Sequence, residues 1–210
     1  MYTPEHFRMD PAALQALLAG HSAGELITAT PRGLLATLVP FVHDAAAGPH
    51  GALLGHLARN NEQWQLPVHG EALVVLRGPD AYVSPQSYAS KAEHGRVVPT
   101  WNSVSAHVYG ELVVHDDAQW TGALVDRLTR HHEDHRPAPW QVSDAPEHFI
   151  AGQLRAIVGV ELRITRIQAK AKLSQNRPAA DVAGVIRDAR AGGDTAMAQA
   201  VAAARDVVAE

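Results

Sequence analysis

With 210 residues, 46% hydrophobic and 19% charged, the chain has the composition of a folded globular protein rather than a disordered one, and its length lets it bury about 70% of its unfolded surface. It has no cysteine, which excludes disulfides, thiolate zinc sites and a cysteine nucleophile, and no apolar run nears the ~18 residues of a membrane span. A net charge of −4 and a pI near 6.3 exclude a wholly basic, nucleic-acid-trapping surface, although 13 histidines erase that balance on protonation below about pH 6.5. The opening MYTPEHFRMD is polar, with no apolar signal region, so a cytoplasmic protein is expected.

Asp10-Pro11 reads as an N-cap followed by proline at the first helical position, and Leu14, Leu17 and Leu18 give the apolar stripe of a short helix ending near Gly20. From Gly24 the pattern turns to strand: ELITAT, a turn at Pro31-Arg32-Gly33, LLATLVPFV, a break at AAAGPHG, then ALLGHL. The links are too short for parallel crossovers, so these strands are antiparallel. ARNNEQWQL predicts one or two helical turns, and EALVVLRG a buried strand that Gly78-Pro79-Asp80 interrupts before AYVS. Residues 84–97 mix Pro, Ser, Gly and charge without a period and read as a long loop, a kind of segment that is usually functional or mobile.

TWNSVSAHVYGELVVHD alternates as a long strand, with Val104, Ala106, Val108 and Gly110 on one side. Asp116 or Asp117 caps a helix carrying Trp120, Leu124 and Leu128 on one face. Ser143-Asp144-Ala145-Pro146 starts another helix through Leu154, and IVGVELRITRIQAK returns as a strand. From Asn176 the chain is Ala-rich and helical in two pieces around Gly192-Gly193. The class is α+β: a closed or nearly closed antiparallel barrel over residues 1–175, followed by a helical extension over 176–210.

No G-x-G-x-x-G, Walker A or H-E-x-x-H pattern is present. His131 and His135 share a helix face at i, i+4, but nothing marks a third metal ligand, and histidines there suit the helix dipole. Arg59, Lys91 and Arg96 lie at strand or loop ends, where they are either solvated surface charge or partners for an anion such as a phosphate. Tyr82 and Trp101 are core aromatics or the cover of a flat ligand. Two cationic contacts and one aromatic face sum to about 5–8 kcal/mol before ordering costs, so a flat anionic ligand needs a second wall, which a second subunit would supply. The C-terminal helix pair superficially resembles a helix-turn-helix, but its arginines are matched by Asp181, Asp188, Asp194, Asp206 and Glu210, which favours packing. Lys170-Ala-Lys172-Leu-Ser-Gln-Asn-Arg177 is a basic stretch able to steer an anion.

MYTPEHFR, GHLARNN (55–61), GPDAYVSP (78–85), SKAEHGRVVPTWN (90–102), Ala-His-Val-Tyr-Gly (106–110) and KLSQNRP (172–178) occur in an order and spacing that resemble the PaiB-type family of FMN-binding negative transcriptional regulators. The resemblance covers nearly the whole chain. It implies a split β-barrel of the flavin-reductase and pyridoxamine-phosphate-oxidase type, a homodimer with FMN at the subunit interface, and DNA as a partner of the regulatory role. By position it implies cofactor-binding roles for His56 and Arg59 near the FMN phosphate, and for Lys91, Val98, Thr100 and Trp101 on a cofactor lip. Two aromatics common in the family are replaced here by Ser103 and Ala171, which removes bulk at both positions. The alternatives are a flavin-dependent oxidoreductase, with His94 and His107 as candidate acid or base, and a cofactor-free structural relative.

Overall fold

The computed structural model describes residues 1–20 and 23–206. The last four residues of the expected helical extension lie outside that range. Six strands form the sheet: β1 (Ala23–Thr30), β2 (Gly33–Asp44), β3 (Ala52–Ala58), β4 (Ala72–Val83), β5 (Thr100–His115) and β6 (Ile157–Lys172). They close into a ring in the order β1-β2-β3-β6-β5-β4. The helices are α1 (Pro11–Gly20), α2 (Ser90–His94), α3 (Ala118–Glu133), α4 (Glu147–Arg155), α5 (Ala179–Ala191) and α6 (Thr195–Asp206). The chain divides into two compact units: one of Met1–Leu14, Arg77–Ala106 and Gln168–Glu210, the other of Gln15–Leu76 and His107–Ile167.

The second unit holds most of the barrel interior. Strand alternation turns Leu26, Val39, Phe41, Leu53, Val74 and Leu162 inward, each of them buried. β3 is buried on both sides, because Ala52 and Leu54 also meet Leu124 and Leu128 of α3. Asp117 caps that helix by accepting the Trp120 N–H at 2.7 Å, as the sequence predicts. Gly110 is required by close approach, since a Cβ there would stand 2.2 Å from the Arg163 carbonyl oxygen on β6. The β1–β2 hairpin turns at Pro31-Arg32, where the Thr30 hydroxyl donates to the Gly33 carbonyl at 2.8 Å.

The outward face of β2 is apolar. Leu34 and Leu38 are 76% and 62% exposed, and Ala36 and Pro40 lie on the same face. Their partners across the register are Ala29, Glu25, Ile27 and Ala23 respectively, of which only Glu25 is charged. An outward barrel face is normally the polar one.

In the first unit, Val83, Tyr88, Leu173, Val185, Met197 and Val201 form a core in which α5 and α6 take part. Two details differ from the sequence reading. Gly78-Pro79-Asp80 does not break β4, because β4 pairs with β1 only around Leu73–Val75, so the missing Pro79 N–H leaves no bond of that ladder unmade. Within residues 84–97 a 3₁₀ turn (Pro85–Ser87) and α2 replace a featureless loop, with the Ser84 hydroxyl capping the turn at the Gln86 N–H.

Candidate functional site

On the first unit, the sequence-predicted Lys91, Val98, Thr100 and Trp101 occupy α2, the segment that follows it and the start of β5. Strand alternation separates the last two. Thr100 and Asn102 share one face, where Lys172 donates from Nζ to Thr100 Oγ1 and the Asn102 amide donates to Ser174 Oγ at 3.0 Å. The Ser174 hydroxyl returns a bond to Asn102 Oδ1 at 3.2 Å, so two buried polar side chains satisfy each other. Ser174 has φ +66°, the left-handed conformation that turns the chain out of β6. Trp101 faces the other way and is 52% exposed; its indole N–H donates to Asp80 at 3.0 Å, and its ring stands 6.5 Å from that of Tyr82. Thr100 is the first residue of β5, so a ligand lying across the strand's end can meet both faces.

The electrostatics of this lip centre on Lys172, which the sequence marked only as part of a basic stretch. Burial pushes its amine below the usual lysine range, and the charges of Lys170 and Arg177 push it further. Among the described residues no carboxylate lies within ion-pair distance of it, and its hydrogen bond is to a neutral hydroxyl. Lys91 is exposed, its Nζ donating to Gln86 Oε1 at 2.5 Å, and Val98 is exposed as well. His94 accepts the Arg96 N–H on Nδ1 at 3.0 Å, so one of its ring nitrogens already serves the local turn.

On the second unit, His56 sits in β3 opposite Gly159 of β6. Its Nδ1 is buried without a hydrogen-bond partner, and burial pushes the imidazole pKa down, keeping it neutral. It lines a groove of about 280 Å³ together with Leu128, Thr129, His132, Glu133 and Trp140. Stability held by a neutral buried histidine is whole above about pH 6.5, the unfolded value, and is lost as pH falls below it, since the unfolded chain then binds the proton more tightly. The melting temperature is therefore expected to fall between about pH 7 and pH 5, and His56→Gln to flatten that fall; an equally steep decline in the variant would assign it to the half-buried imidazoles of His43 and His107, whose pKa values burial also lowers.

Arg59 is committed within its own chain. Nε donates to the Arg155 carbonyl at 2.6 Å, Nη1 to Asp116 Oδ2 at 3.2 Å, and Nη2 to Asp116 Oδ1 at 2.6 Å and the Ile157 carbonyl at 3.1 Å. The pairing raises the arginine pKa and holds the Asp116 carboxyl below its usual range. A ligand anion arriving here meets a guanidinium that Asp116 already neutralises. The sequence could not signal this, because Asp116 reads equally well as a helix cap.

The donor set of the lip suits the anionic end of a flavin: a carboxylate-free ammonium, further cations beside it, and exposed aromatic surface at the same strand end. A closed, six-stranded antiparallel ring with added helices is the flavin-binding split-barrel fold. Residues 1–166 match the family model described as "Putative FMN-binding domain". The Bacillus subtilis protein named Protease synthase and sporulation protein PAI 2 is 30% identical over 89% of this chain and 87% of its own. An uncharacterised Aspergillus fumigatus protein is 35% identical over 82% of this chain and 84% of its own. Flavocytochrome Anf3 from Azotobacter vinelandii superposes with a TM-score of 0.58 at 15% identity, covering 78% of this chain and 68% of that one, a likeness of fold. The chain belongs to the PaiB-type family of FMN-binding proteins, and its cofactor is FMN or a related flavin.

Proposed function

We propose that this protein is an FMN-binding homodimer of regulatory type, in which the flavin's anionic end is held at the lip of β5 and β6. The observation that carries the reading is Lys172, a partly buried ammonium flanked by Lys170 and Arg177 with a hydroxyl for its partner. Such a group is poorly stabilised until an anion arrives, so an anionic ligand gains both the Coulombic attraction and the charge-assisted hydrogen bond. Thr100 orients the amine, Lys91 adds positive charge, and Val98 and Trp101 present apolar surface to a ring system. When bound, the flavin would supply redox chemistry. The chain's own residues bind, orient and exclude water.

The dimer rests on the bare face of β2, where Leu34, Ala36, Leu38 and Pro40 are exposed in one row. A second copy of the same face would cover it in a two-fold contact. The regulatory role rests on the relative from Bacillus subtilis, whose name ties that protein to protease synthesis and sporulation. Salt-sensitive retardation of the protein's own promoter region in a gel shift is the expected sign of direct regulation; no shift at physiological salt would sink it.

An absorption spectrum, a solution mass and a melting curve with added FMN test the whole. Yellow protein of twice the chain mass is expected, or a melting temperature that rises with FMN, the stabilisation reaching about 2.7 kcal/mol when free FMN is a hundredfold above Kd. A colourless monomer unmoved by FMN would end the reading.

A further inference from the structure

The family match ends at residue 166, so α5 and α6 follow it in the chain. α5 nevertheless reaches the segment that carries Lys91. Asp181, Gly184 and Asp188 lie at i, i+3 and i+7, on one face of the helix, and each meets residues 87–90. The Ser90 N–H donates to Asp181 Oδ1 at 2.9 Å and the Ser90 hydroxyl to Oδ2 at 2.7 Å. The Ser87 hydroxyl donates to Asp188 Oδ2 at 2.8 Å. Between them Gly184 lets backbone meet backbone, since a Cβ there would fall 1.8 Å from the Ser87 carbonyl oxygen. Tyr88, buried between the two serines in sequence, has the Arg177 guanidinium 4.7 Å over its ring.

Asp181 is 1% exposed, an expensive place for a carboxylate unless its bonds are needed. Burial alone would raise its pKa; the Ser90 and Ala89 groups and Arg177 outweigh that and keep it ionised. Ser90 is the first residue of α2 and Lys91 is the next, so the carboxylate pins the backbone one residue from the cation of the lip.

We propose that α5 is the positioning element of the flavin lip, and that Asp181 is the residue through which it holds Lys91 and the entry to β5 in the binding arrangement. The proposal rests on the flavin reading above. A lip held in place before binding spares the cofactor the cost of ordering it, so loosening the anchor shows as lost affinity. It also gives the helices beyond the matched domain a purpose other than DNA contact, because the Asp181–Asp188 face of α5 is spent on its own chain.

The test measures FMN affinity by fluorescence quenching and, in the flavin-free protein, amide hydrogen exchange over residues 88–95. Asp181→Ala and Gly184→Ala are expected to weaken FMN binding about tenfold or more and to speed exchange in that segment. Asp181→Asn, which keeps an acceptor for the Ser90 N–H, is expected to recover most of the affinity. Val201→Ala, in the same helical core, is expected to lower the melting temperature with affinity intact. Ser90→Ala, which deletes a single hydroxyl bond, serves if the larger changes prevent folding, and is expected to weaken binding in the same direction. Undiminished affinity in Asp181→Ala and Ser90→Ala, or an equal loss in Val201→Ala, overturns the proposal while leaving the flavin reading intact. Wild-type protein that binds no FMN removes that reading and this one together.

Discussion

Lys172→Met is expected to weaken FMN binding roughly 10- to 150-fold, the loss of one charge-assisted hydrogen bond worth about 1.5–3 kcal/mol. Methionine keeps the unbranched stem, so the change removes charge with little change of packing. The Thr100 hydroxyl loses its donor, but Asn102 and Ser174 still hold β5 to the turn after β6. The fold is therefore expected to survive, as near-wild-type melting of the flavin-free variant would confirm. Riboflavin, which has no phosphate, separates two versions of the idea. If the ammonium faces the phosphate, its binding is unaffected by the substitution; if it faces the ring, both ligands lose alike. Because burial and neighbouring cations lower the Lys172 pKa, FMN affinity is expected to decline on the alkaline side at a lower pH than an ordinary lysine near ~10.4 would give. Wild-type FMN affinity in Lys172→Met would take the residue out of the site.

If two copies pair through β2 as proposed, Leu38→Glu is expected to turn that dimer into a monomer. Leu38 is 62% exposed in the protomer, at the centre of the β2 row. Covering a leucine stabilises by about 1.5–3 kcal/mol, and a two-fold contact counts it twice, so about 3–6 kcal/mol is lost before two carboxylates are forced into apolar surroundings. Glu25 stands opposite Leu38 in the β1–β2 register and adds like-charge repulsion. Since the side chain is exposed in the single chain, the barrel is expected to stay folded, and on the proposed pairing the mass in solution is expected to halve. If the flavin lies where two copies meet, its binding falls with the dimer. A variant that remains dimeric would move the contact to another face.

Much of the architecture follows from local sequence. Asp10-Pro11 and Asp117 start helices where caps belong, and Gly192-Gly193 divides the C-terminal helices. The hairpin order of the early strands led to an antiparallel barrel, and the ring closes in that manner. Local reasoning failed at Gly78-Pro79-Asp80, where punctuation strong enough to end a strand lies inside β4. It failed there because a proline is tolerated wherever the neighbouring strand asks for no N–H, and only the pairing reveals where that is.

The site was less legible than the fold. A cation in a sequence can be a ligand, a clamp or a solvated charge, and the choice depends on what folding brings within about 4 Å of it. Arg59 meets Asp116 across 57 residues, Thr100 meets Lys172 across 72, and Ser90 meets Asp181 across 91. None of these distances leaves a periodic trace. The sequence by itself determined most of the elements and their antiparallel order, because caps, turns and alternation act over a few residues, and its motifs carried the family. Only the tertiary structure decided which charges are neutralised and which are left without a counter-charge, because that is settled by long-range contact and by desolvation, and neither is a property of a short stretch of chain.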